Sequence, residues 1–116
     1  MRFVETDEFT KELKKLSKKY PTLLEDFDFL KEVISCTPTG NKSKHWNLIK
    51  ADESQKKYIF KLRLKCRSTK GAHFRVIYFY DGQSVEVVFI EIYFKGKKEN
   101  ENRKRIDDFW RIKTKG

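Results

Sequence analysis

The chain has 116 residues, 38% hydrophobic and 38% charged, with a formal net charge of +10. That is one domain's worth of chain, expected to form a single unit over 1–116 around a modest core rich in its ten Phe and five Tyr. No apolar run approaches the roughly 18 residues that a membrane-spanning helix needs, and Met1-Arg2-Phe3-Val4-Glu5 leads into acidic, helix-like sequence rather than a signal peptide, so a cytoplasmic protein without membrane association is expected.

Phe3-Val4 reads as a short first strand. Thr6 or Asp7 then offers an N-cap for a helix whose early acids, Asp7, Glu8 and Glu12, suit the positive end of its dipole. Phe9, Leu13, Leu16 and Tyr20 form one helical stripe. Pro21 breaks this helix and suits the first turn of the next. There Leu23, Phe27, Leu30 and Ile34 repeat the stripe, with Leu24 and Val33 widening it. The pair predicts an antiparallel helical hairpin whose stripes are core.

Residues 37–43 carry turn chemistry. His45 to Ile49 reads as a short strand or an extended loop, and Ala51 to Gln55 as a polar turn. Tyr58, Phe60, Leu62, Leu64 and Cys66 then alternate with Ile59, Lys61, Arg63, Lys65 and Arg67, a period of two that puts four cations on one strand face. His73 to Tyr80 predicts a second long strand, and Asp81-Gly82 a hairpin turn. Val85 to Phe94 predicts a third, with Val88, Ile90, Ile92 and Phe94 on one face and Glu91, Tyr93 and Lys95 on the other. A polar stretch from Gly96 to Asn102 precedes a last helix from Arg103 to Arg111, with Ile106, Phe109 and Trp110 as its apolar contacts. The fold class is therefore α+β. A first strand and a helical hairpin pack on one face of a three- to four-stranded antiparallel sheet, and a short helix ends the chain.

The charge has a direction. Residues 1–35 hold seven Lys/Arg against eight Asp/Glu, and residues 36–116 hold twenty against nine. From Ser54 to Tyr80 there are eight basic residues and no acid. A solvated face normally mixes signs, so a one-signed strand region points to a polyanion. Such a face can hold phosphates electrostatically, and converging cations can stabilise the extra charge of a pentacoordinate phosphate. RNA brings its own nucleophile, the 2′-hydroxyl, so this chemistry needs an acid and a base but no metal or cofactor. Cys36 and Cys66 lack metal-ligand spacing and read as buried free thiols. Trp46 and Trp110 read as covers for core edges, and base stacking is their alternative use.

Four blocks, in order, resemble the RelE/ParE superfamily of toxins. Leu13-Lys14-Lys15-Leu16 with Lys18-Lys19-Tyr20-Pro21 looks like the first helix and turn. Phe60-Lys61-Leu62-Arg63-Leu64 is similar to the family's cationic strand. Gly71-Ala72-His73-Phe74-Arg75-Val76-Ile77-Tyr78 resembles its glycine–arginine signature, with Ala72 in place of the second Gly. Ile92-Tyr93-Phe94-Lys95 with Lys98-Glu99-Asn100 resembles its last strand and loop. The resemblance implies the toxin of a type II toxin–antitoxin pair with a small antitoxin partner. In its RelE-like branch it implies an endoribonuclease that cuts mRNA, usually on the ribosome, leaving a 2′,3′-cyclic phosphate. It puts Lys61, Arg63, Arg75 and Lys95 in the site, with Arg75 for transition-state charge and Lys95 as general acid or phosphate contact. Glu91 is the carboxylate on the same face, either a proton acceptor or a partner of Arg75. Lys65, Arg67, His73, Lys97 and Lys98 are the expected RNA contacts, and His73 is also a candidate for proton transfer. The alternatives are a ParE-like protein that binds DNA gyrase without cleaving, and an inactive nucleic-acid-binding module of the same fold.

Overall fold

The computed structural model describes residues 1–71 and 73–114; Ala72 of the signature block lies outside them. The alternating cationic segment and the apolar strand after it form the middle of the sheet. β3 (Lys57–Leu64) and β4 (Phe74–Asp81) pair antiparallel from Lys57 opposite Asp81 to Leu64 opposite Phe74. β5 (Glu86–Phe94) adds antiparallel to β4, and β2 (Trp46–Asp52) antiparallel to the free edge of β3. The sheet has five strands rather than three or four, because β1 (Arg2–Glu5) joins it parallel to β5. This strand lies in the sheet instead of packing on its face with the helices. Phe3 stacks on Phe89 on one side while Val4 packs into the cluster on the other, so its two apolar side chains need cover from both layers.

α1 (Asp7–Lys19) is capped by Thr6, whose hydroxyl accepts from the Phe9 amide at 3.2 Å. Its stripe and that of α2 (Leu23–Cys36) bury Phe9, Leu13, Leu23, Phe27, Leu30 and Ile34 against Phe60, Leu62, Leu64, Phe74, Val76, Tyr78 and Phe89. Pro21 stands in the turn before α2 and not in its first helical turn, since Thr22 is the N-cap. Leu24 points away from the core and is 51% exposed, and Cys36 is exposed; Cys66 alone of the two thiols is buried. Gly40 has a positive φ, and any Cβ there would meet the Trp46 ring. The indole packed against it donates to the buried Tyr78 hydroxyl at 2.7 Å.

The start of α2 is tied to the turn after β3. Asp26 accepts from the Arg67 amide at 2.9 Å, from Arg67 Nε at 2.7 Å and from the Thr22 hydroxyl at 2.7 Å. Burial opposes ionisation of Asp26, but the bonds from Thr22 and Arg67 outweigh it and hold the carboxyl below its ordinary 3.8. A depressed folded-state value adds stability that is present above the unfolded value and lost as pH falls through the folded one. Asp26→Asn is thus expected to melt lower near neutrality and to lose less on acidification below about 4. Thermal melts across pH check this, and a variant that loses stability on acidification as the parent does would remove Asp26 from the acid response.

The second face of the sheet is not left entirely to charged side chains. α3 (Arg103–Thr114) lies across it, with Ile106, Phe109 and Trp110 against Ile59, Ile77, Phe79 and Ile90. Ile59, Ile77 and Phe79 share the strand parity of Lys61 and Arg75, and three apolar side chains on that face require a cover.

The faces of β5 also differ from strict alternation. Ile77 pairs with Glu91 and Tyr78 with Phe89, so Ile90 is an extra residue. This bulge puts Val88, Ile90 and Tyr93 in the α3-side cluster and Val87, Phe89, Ile92 and Phe94 on the hairpin side. Its carbonyl leaves the ladder and is met by the Thr6 hydroxyl at 3.3 Å and by the Arg105 guanidinium. Arg105 also pairs with Glu12 at 2.8 Å, and Glu12 accepts from the Ile92 amide at 3.2 Å. The edge of β5 beyond β1 is in this way closed by side chains, and α3 is fastened to α1. No helix among the described residues is long and apolar enough to cross a membrane.

Candidate functional site

The loop before α3 helps bury Glu91 and Tyr93 on the α3 side of the sheet, leaving Arg63 exposed and Arg75 half-buried, and cross-strand register sets the cations there. Lys61, Ile77 and Glu91 make one row; Arg63, Arg75 and Tyr93 make the next. Neighbouring strands lie about 4.8 Å apart, so two guanidinium-bearing residues face each other directly. Like charges in such a pair destabilise a sheet. Arg75 is half-buried and donates to the Phe74 carbonyl at 3.0 Å. Burial first, and the nearby Arg63 second, push its pKa below the ordinary arginine value, with Tyr93 acting in the opposite direction.

The loop between β5 and α3 borders these rows through two buried carboxylates. Glu91 has no exposed surface; it accepts from Lys98 Nζ at 2.5 Å and from the Asn102 amide at 2.9 Å. Lys98 also stands 5.7 Å from the centre of the Tyr93 ring. Glu101 accepts from Lys61 Nζ at 3.1 Å, Arg103 at 2.7 Å and the Tyr93 hydroxyl at 3.4 Å. Burial works against its ionisation, but hydrogen bonds, Lys61's among them, prevail and hold it below the ordinary carboxylate value. Burial, then Glu101 and Glu91, push the Tyr93 phenol up to about 12. At neutral pH it is a hydrogen-bond donor and not a base.

The structure gathers Lys61, Arg63, Arg75, Glu91 and Lys98 on this end of the sheet. Lys65, His73 and Lys95 ring the same end, just beyond the row in which Leu64, Phe74 and Phe94 face one another. His73 lies outside the strand predicted to include it. Its carbonyl accepts from the Lys95 amide at 2.7 Å, and its ring faces Phe94. Lys97 is exposed on the loop. Arg67 goes elsewhere: β3 has ended, and its guanidinium pairs with Asp26 at 2.7 Å and Glu25 at 2.6 Å on α2. Glu91 meets Lys98, with Arg75 in the neighbouring row. Sequence reasoning missed Glu101 and Arg103 and took Tyr93 as a face residue without a role. The loop acids have no periodicity to reveal them, although Glu101 lies in a polar stretch close to the last strand. Among the described residues, no three His, Cys, Asp or Glu side chains gather as a metal ion would require.

No family model and no curated protein matches the chain. Five solved chains do match in structure. One belongs to the crystal structure of the archaeal RelE–RelB complex from Pyrococcus horikoshii OT3, with a TM-score of 0.61 and 14% identity over 83% of this chain and 96% of that one. The fold is RelE-like. In this chain Lys61, Arg63 and Arg75 lie together on β3 and β4, beside the loop that leads into α3.

Proposed function

We propose that this RelE-like protein is the toxin half of a toxin–antitoxin pair and acts in the cytoplasm by cleaving messenger RNA, with the ribosome presenting the substrate. The observation that carries the reading is the direct opposition of exposed Arg63 and half-buried Arg75 beside Tyr93. A half-buried guanidinium set against a second cation is stabilised by an anion, and its fork matches phosphate bidentately. In the proposed reaction the RNA 2′-hydroxyl gives its proton to solvent water as it attacks the adjacent phosphorus, and the bond to the 5′-oxygen breaks. A 2′,3′-cyclic phosphate and a 5′-hydroxyl are left. Arg75 and Arg63 meet the charge that builds on the non-bridging oxygens. Lys61, held by Glu101, contacts the flanking phosphate, and Lys95 protonates the leaving oxygen. Glu91, expected to be catalytic, is assigned here to holding the loop, because its carboxylate is buried and taken up by Lys98 and Asn102. Catalysis therefore rests on charge stabilisation more than on a carboxylate base. Lys65, His73, Lys97 and Lys98 extend the contact along the RNA.

Expression in bacteria without a partner is expected to stop growth and to produce discrete primer-extension stops within translated messages. Intact messages together with inhibited DNA supercoiling would favour gyrase binding instead. A second expectation concerns salt. Arg63 is exposed on a strand whose opposite face is core, so Arg63→Ala should fold normally, bind RNA less tightly and reduce the salt slope of binding by about one unit. Filter binding over a salt series measures this, and an unchanged slope would show that Arg63 holds no phosphate.

A further inference from the structure

α1 carries charge of its own on the side turned away from the sheet. Phe9, Leu13, Leu16 and Tyr20 face the core. Lys11, Lys14, Lys15 and Lys18 recur at i, i+3, i+4 and i+7, the spacing of one helix face, and that face lies opposite the core stripe. Lys19 flanks it, and all five are exposed. Among the described residues none of the five is paired with a carboxylate. The acids Asp7 and Glu8 stand in the first turn of the helix, and Glu12 turns to Arg105. Such a row works against its own helix. Lys11 stands one turn from Lys14 and Lys15, Lys14 from Lys18, and Lys15 from Lys18 and Lys19, the spacings at which like charges destabilise a helix. The helix dipole offsets this only for Lys18 and Lys19, in the last turn. A solvated face normally mixes signs, so a one-signed row kept at a cost to the fold points to an anionic partner. The row is also separate from the proposed cleavage site, since α1 packs on the hairpin side of the sheet and Arg63 and Arg75 lie on the other.

We infer that the outer face of α1 holds the phosphate backbone of a nucleic-acid duplex, apart from the single strand proposed for the sheet. Lysines four residues apart stand about 6 Å apart along the helix axis, a rigid row for a rigid backbone. A single strand is held by stacking on aromatic rings as well as by charge. No aromatic side chain lies among these lysines, and Tyr20 is stacked on Phe94 on the core side. A helix that lies on a membrane buries an apolar face in it, and the apolar face of α1 is already in the core. What remains is charge alone at fixed spacing, which suits paired phosphate strands. The inference goes beyond the cleavage reading: it needs no chemistry and holds whether or not the sheet cleaves. With a single strand on the sheet and a duplex on α1, the protein would grip a nucleic acid where its paired and unpaired parts meet.

The test compares the full chain with a Lys14→Gln, Lys15→Gln double variant, which removes all of those like-charge pairs and keeps helix propensity. Filter binding over a salt series uses a blunt RNA duplex, a DNA duplex of the same sequence and an unstructured RNA single strand; vesicles rich in phosphatidylserine serve as competitor. The double variant should bind duplex about tenfold more weakly at low salt, with a salt slope lower by about two units. It should hold the single strand as the parent does and melt at the same temperature or higher. The two duplexes tell folded RNA from DNA as the source of the backbone. The inference is overturned if duplex binding and its slope are unchanged in the double variant, or if single-strand binding falls as much. It is also overturned if the vesicles displace the duplex, or if the variant melts lower, which would make the lysines part of the fold. Message cleavage is read on the same preparations. Duplex binding that depends on Lys14 and Lys15 without any cleavage removes the nuclease reading alone, and cleavage by a double variant with unchanged duplex binding removes the helix surface alone.

Discussion

Arg75→Ala is expected to lose RNA cleavage and toxicity by a factor of about a hundred to a thousand, the usual cost of removing one donor aimed at transition-state charge. Arg75 sits on β4, the central strand of the five, opposite Arg63 on one side and Tyr93 on the other. Burial and Arg63 both disfavour its charged form, so a phosphate arriving there gains more than it would at an exposed lysine. If that gain is largest when the two non-bridging oxygens take on a second negative charge, the loss falls on the rate more than on affinity. Arg75→Lys keeps the charge but not the fork and should recover part of the activity. The fold should survive, because the opposite face of β4 carries Phe74, Val76 and Tyr78 in the core and the Arg75 side chain is not among them. Melting temperature and single-turnover cleavage on one preparation decide the matter. A folded Arg75→Ala protein that cleaves at a near-normal rate would exclude the residue from the site.

Glu101→Ala is expected to be the most damaging single change among the charged residues. The carboxylate is buried and receives Lys61, Arg103 and the Tyr93 hydroxyl. Removing it leaves a buried phenol without that acceptor and a lysine without its counter-charge. Breaking a fully buried pair costs about 3–5 kcal/mol; Lys61 and Arg103 both reach water here, so about 2–3 kcal/mol is the expected loss. For a domain of this size that lowers the melting temperature by about 10 °C. Glu101→Gln keeps the shape and an acceptor and should lose less. Thermal denaturation of both variants measures this, and an unchanged melting temperature in Glu101→Ala would mean that the loop is held by other contacts.

The central strands and the helical hairpin were legible because their patterns are local. Phe60 to Leu64 alternates core and cationic side chains, Phe74 to Tyr80 is an apolar run broken only by Arg75, and Phe9, Leu13, Leu23, Phe27, Leu30 and Ile34 keep helical spacing, so the cations on β3 and β4 could be assigned a face. β5 was half legible. One extra residue at Ile90 reverses parity before Glu91, and nothing local marks it; the bulge depends on Thr6, Glu12 and Arg105, which come from distant parts of the chain. The parallel β1 and the placement of α3 are likewise long-range outcomes, driven by apolar side chains on both faces of the sheet. Arg67 follows the sequence alternation of its strand but lies past the strand's end, where the acids of α2 take it. Glu101 was invisible because burial of a loop acid is decided by the cations it meets, not by its neighbours in sequence.

The most direct measurement uses purified protein, ribosomes and a translated message carrying one 2′-deoxy nucleotide at a mapped cut site, compared with the all-ribose message. The account predicts cuts ending in a 2′,3′-cyclic phosphate on the all-ribose message and loss of the cut at the deoxy position, with neighbouring cuts retained. A cut that persists at the deoxy position, or a fully intact all-ribose message, would contradict it.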